Sequence, residues 1–123
     1  MKKIADWKIY IKTVSEANCS EHWSKKSKRH SLQKKAVVWK WLQERPEFDP
    51  PCTIILSRIA PRVLDFDNLV SSFKWIKDSI ADRINPGLAP GRADDDSRIS
   101  WDYKQERGVS KEYAVKIQIF IND

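Results

Sequence analysis

The sequence predicts a single α+β domain, residues 1–123, with a mixed β-sheet packed on two helices in the order β-α-β-α-β-β. Three observations predict it. Runs rich in β-branched residues recur near both ends and in the middle of the chain. Between them lie stretches whose apolar residues recur at helical spacing. A chain of 123 residues can bury one modest core and has no room for a second.

The elements follow in order. Trp7, Ile9 and Ile11 alternate with Lys8, Tyr10 and Lys12, the pattern of a half-buried strand. Residues 14 to 30 are polar, basic and aperiodic, and read as a loop or arm. Ser31 can cap a helix running to about Glu44, with Leu32, Ala36, Trp39 and Leu42 on one apolar face. Arg45-Pro46 and Pro50-Pro51 then force a turn. The run from Cys52 to Ala60 is a β-rich central strand, closed by Pro61.

Asp65-Phe66-Asp67-Asn68 leads into a second helix, capped by Asp67 or Asn68 and striped by Leu69, Phe73, Ile76 and Ile80. Asn85-Pro86-Gly87 and Ala89-Pro90-Gly91 mark turns. Asp96 then opens a strand with Ile99, Trp101 and Tyr103 on one face. After a loop at Gly108, the last strand carries Val115, Ile117, Ile119 and Ile121 on one face and Lys116, Gln118 and Phe120 on the other. It is expected to pair with the strand before it as a hairpin.

Charge narrows the function. The formal net charge is +6, which favours a polyanionic partner. The excess is uneven. Lys25, Lys26, Lys28, Arg29, Lys34, Lys35 and Lys40 follow one another with no acid between, whereas acids gather at Asp65, Asp67 and Asp94-Asp95-Asp96. No run approaches the roughly 18 apolar residues of a membrane span. The N-terminus shows no apolar signal segment, so a cytoplasmic location is expected. Cys19, His22, His30 and Cys52 would exhaust every Cys and His in one zinc site. Structural zinc normally uses two tight ligand pairs, so the plainer reading is a buried Cys52 and a loop Cys19.

The acidic residues have two readings each. In an extended stretch, residues two apart point the same way, so Asp65 and Asp67 can offer two carboxylates to one metal ion. Alternatively, Asp67 only caps the helix and Asp65 is solvated. One aspartate of the later run can complete a cluster, or the run is a solvated acidic turn.

Asp65-Phe66-Asp67-Asn68-Leu69 opening a helix, followed by Asp95-Asp96-Ser97-Arg98-Ile99 opening a strand, resembles the RusA-like Holliday-junction resolvases. The resemblance covers about residues 60 to 105 and a compatible order of elements. It implies a small homodimeric endodeoxyribonuclease of phage or prophage type that nicks four-way junctions in DNA recombination and repair, using Mg²⁺ or Mn²⁺. It makes Asp65, Asp67 and Asp96 metal ligands and catalytic residues. The ion would activate water and stabilise charge on the phosphate.

One departure stands out. The family pattern has a catalytic lysine four residues after the second motif aspartate and an aspartate four beyond that. Here those positions hold Ser71 and Trp75, and the Lys-x-x-x-Asp spacing returns as Lys74 and Asp78. On one continuous helix Lys74 would lie within about 20° of Asp67's direction, so it stands in for the family lysine, or else simply pairs with Asp78. The departure keeps open an alternative, a non-cleaving DNA-binding phage protein of the same fold. Lys25, Lys26, Lys28, Arg29, Lys34 and Lys35 are the expected phosphate contacts. Trp23 is the better stacking candidate, while Trp39 is expected in the core.

Overall fold

The computed structural model describes residues 1–15, 21–86 and 96–122. The chain runs β1 (Lys2–Ile9), α1 (Trp23–Glu44), β2 (Cys52–Ala60), α2 (Phe66–Ser72), α3 (Lys74–Ile84), β3 (Ile99–Arg107) and β4 (Ala114–Ile121). The four strands form one mixed sheet in the order β1-β4-β2-β3. β4 is antiparallel to both β1 and β2, and β2 is parallel to β3. The α+β class and the order of elements are as expected, with one helix more.

The expected hairpin does not form. β4 pairs with β1 and β2, and β3 pairs only with β2. The side chains explain the order. Val115, Ile117 and Ile119 are fully buried, so β4 belongs inside the sheet. β3 exposes Asp102, Lys104 and Glu106, and β1 exposes Lys2, Lys3 and Lys8. Charged strands suit sheet edges, where they discourage pairing with another chain.

One face of the sheet carries the core. Cys52, Ile54 and Leu56 of β2 join Trp7, Val115, Ile117 and Ile119 against the helices. The predicted stripe of the second helix holds, with Leu69, Phe73, Ile76 and Ile80 all buried. The helix itself is split. Ser72 Oγ donates to the Leu69 carbonyl at 2.6 Å, and the Phe73 amide turns back to the Val70 carbonyl at 3.1 Å. A serine that bonds its own backbone competes with helix continuation. Phe73 becomes the joint, and α3 restarts at Lys74.

α1 differs more. It begins at Trp23, capped by His22, so the last part of the expected arm, residues 23–30, is helical. Its buried residues are Gln33, Val37 and Trp41, not the Leu32–Trp39–Leu42 stripe. Trp41 meets Trp7 edge-on at 5.6 Å between ring centroids. Trp39 is 74% exposed, with Leu32 and Leu42 beside it on the outer face. Cys52 is buried at the start of β2, and Cys19 lies outside the described residues. Among the described residues no helix is long and apolar enough to cross a membrane.

Candidate functional site

Asp65, not Asp67 or Asn68, caps α2. Its two carboxylate oxygens accept from the Asn68 amide and from Asn68 Nδ2, each at 2.9 Å. Asn68 Oδ1 in turn accepts from Ser15 Oγ, which ties the loop after β1 to this helix start. Asp67 stands exposed in the first turn, where the helix dipole favours a negative charge. The two aspartates therefore share a helix N-terminus rather than an extended stretch. Two carboxylates suit a hard divalent ion, which keeps most of its water shell. Each Asp65 oxygen accepts one of these bonds and retains a second lone pair that can face such an ion.

Asp96 is elsewhere. It lies three residues before β3 and accepts from Asn85 Nδ2, at the end of α3, at 3.0 Å. Arg98 closes on it through Nε at 3.0 Å and Nη2 at 2.7 Å. That guanidinium and the Arg98 amide hold the Asp96 carboxyl far below the usual carboxylate range. The parallel register pairs Cys52 with Ile99 and Ala60 with Arg107. Asp96 thus sits at the start of β2 and β3, whereas Asp65 follows the end of β2. Leu64, next to Asp65, exchanges hydrogen bonds with the Gln105 side chain. From Gln105 back to Ile99 is six residues of strand, so Asp96 and Asp65 are separated by roughly 20 Å. The expected three-aspartate cluster is not assembled within one chain. A β-α-β crossover carries the helix N-terminus and the next strand's start to opposite ends of the sheet. Among the described residues no three acidic, His or Cys side chains could hold a metal ion together. Asp94 and Asp95 lie outside those residues.

The basic segment divides into two faces of α1. Lys26, Lys34 and Lys35 line one open cleft of about 610 Å³ together with Trp23, His30 and Trp75. His30 stacks on Trp75 at 4.0 Å between centroids. Lys34 Nζ lies 5.1 Å from the Trp75 ring centre. Lys25, Lys28 and Arg29 border a second cleft toward Ile11 and Lys12. Arg29 pairs with Glu21, so its charge is partly spent within the chain. Trp23 is 73% exposed and lines the first cleft.

α1 and α3 run parallel: His30 meets Trp75, and Ser79 Oγ donates to the Lys34 carbonyl at 3.4 Å. The Trp23 end of α1 therefore lies toward the α2 end of the molecule, the same end as Asp65 and Asp67. Lys74 is here too. The break at Phe73 removes the single-helix phase that related it to Asp67, and its Nζ lies 4.9 Å from the Trp75 ring centre.

Sequence reading passed over Arg58. It sits in the apolar run from Cys52 to Ala60, at the parity of Ile54 and Leu56 that faces the core, and is only 7% exposed. The signal was there, because a charge at a core-facing position of a central strand is unusual. Compared with known protein families, curated proteins and solved structures, the chain matches none.

Proposed function

We propose that this chain is a metal-dependent endodeoxyribonuclease that resolves four-way DNA junctions as a homodimer. The observation that carries the reading is the Asp65-Phe66-Asp67-Asn68 turn. It sets two carboxylates at the start of α2, at the same end of the molecule as the lysine-rich half of α1. Mg²⁺ or Mn²⁺ held there would lower the pKa of a water and offset charge on the phosphate. Lys26, Lys34 and Lys35 would fix the DNA backbone through their charge, without reading its sequence. Lys74 would add a cation near the phosphate. Asp96 can join Asp65 and Asp67 only from a second copy, so the reading requires a dimer for a three-carboxylate site.

A second reading is a DNA-binding protein of this fold that does not cut. The observation in its favour is that Arg98 and Asn85 already occupy Asp96. A synthetic four-way junction incubated with Mg²⁺ or Mn²⁺ separates the two. The nuclease reading expects paired nicks from the natural chain. It expects none from Asp67→Asn, which still binds the junction as well or better after losing a negative charge. Binding without nicks on any branched substrate, with either ion, leaves the second reading.

A further inference from the structure

We propose that Arg58 and the cleft beside it form a phosphate-binding site, distinct from the carboxylates of α2 and from the α1 cleft. The case starts from the burial of the guanidinium. Arg58 occupies the core-facing row of the central strand, where Cys52, Ile54 and Leu56 precede it and Ala60 follows. Its Nη1 donates to the Arg62 carbonyl at 2.7 Å. Its Nε has no acceptor. Among the described residues no carboxylate pairs with it, and burial pulls its pKa below the usual arginine value. Arginine nonetheless remains protonated in proteins. A buried charge is normally paired, because leaving it alone costs more than the contacts it makes. An unpaired one that persists points to a partner that arrives from outside.

The surroundings describe that partner. Arg58 lines a cleft of about 270 Å³ together with Lys12, Ser15, Arg62 and Tyr113, and among the described residues no acidic side chain lines it. Lys12 Nζ lies 4.7 Å from the Tyr113 ring centre, at the same opening. Three cations, two of them guanidinium forks, match a compact anion with several oxygens, for which phosphate is the fitting class. Ser15 also bonds Asn68, so the cleft adjoins the α2 start. On the nuclease reading, the anion is a backbone phosphate near the one that is cut. Free inorganic phosphate offers the same chemistry, and only the choice between these sources rests on that reading.

Thermal melts of the full chain test the proposal with no metal present. Inorganic phosphate, a short DNA duplex and acetate are each titrated at matched ionic strength. Phosphate is expected to raise the melting temperature of the natural chain, and acetate is not. Arg58→Met is expected to melt higher than the natural chain without ligand, having lost an uncompensated charge, and to show no response to phosphate. Should Arg58→Met fail to fold, Arg58→Lys keeps the charge without the fork and is expected to weaken the phosphate response on the order of tenfold in affinity. An Arg58-dependent response to duplex as well as to phosphate supports the backbone source. A response to phosphate alone supports the site but overturns that source. Equal responses in the natural chain and either variant, or an acetate response matching phosphate, overturn the site. Cleavage with no Arg58-dependent phosphate response sinks only this inference. A phosphate response without cleavage sinks only the nuclease reading.

Discussion

Asp65 and Asp67 stand two residues apart and do different structural work, which allows their chemical role to be isolated. Asp65 satisfies the Asn68 amide and side chain. Removing an N-cap acceptor costs about 1 kcal/mol, so Asp65→Ala should lower the urea midpoint measurably. Asp67 lies in the first turn and is exposed, so Asp67→Ala should cost only about 0.3–1 kcal/mol through the dipole. Both should abolish cleavage. If Asp67→Ala cuts at the natural rate, this pair does not hold the ion. The motif itself was legible in the sequence, but the division of labour was not. Moving the start of a helix by two residues changes which side chain caps it, and only the cap geometry decides that. The position of Asp96 was not legible either. Spacing along the chain does not record that a crossover returns the chain to the far end of the sheet. Arg58 was readable in principle, since its parity in the run from Cys52 to Ala60 is fixed by the period of a strand.

At the scale of elements, the strands with continuous apolar faces were legible because burial and period two leave little choice. The second half of α1 was legible too, but its first half was not, because that half buries almost nothing. Lys, Arg and Gln are good helix formers, yet a helix that is polar on most sides gives no apolar period to detect. The sheet order was hidden for another reason: a short connection between β3 and β4 favours a hairpin locally, and the burial of β4 between β1 and β2 overrides it. The two faces of α1 yield a prediction. Each phosphate contact contributes about 0.9 to the slope of log affinity against log salt on duplex DNA. Replacing Lys26, Lys34 and Lys35 with Ala should reduce that slope by about 1 to 3. Replacing Lys25 and Lys28, on the face away from Trp75, should change it less. Fluorescence anisotropy across a salt series measures both. Equal slopes for the two variants would mean that the Trp23–Trp75 side of α1 does not face the DNA.

For the whole molecule the question is whether two copies complete one site. Two nicks related by symmetry need two equivalent centres, which a two-fold dimer supplies. One chain offers Asp65 and Asp67 at one end and Asp96 at the other. α1 also leaves Trp39, Leu32 and Leu42 exposed on its outer face, apolar surface of the kind found in interfaces. Light scattering should give about 29 kDa, twice the 14.4 kDa chain. The sharper test mixes two variants. Asp67→Asn and Asp96→Asn should each be inactive alone. If sites are shared between copies, a mixed dimer combines both substitutions in one site and leaves the other intact. Random mixing then restores about a quarter of the sites, because about half the dimers are mixed and each has one working centre. Those dimers should nick one strand of a junction and leave its symmetry mate uncut. If each site lies within one chain, every centre in the mixture carries a substitution and no activity returns. An inactive mixture, in a sample shown to exchange subunits, would therefore rule out a site shared between copies, whereas cleavage by Asp96→Asn alone would remove Asp96 from the site and leave Asp65 and Asp67 to hold the ion.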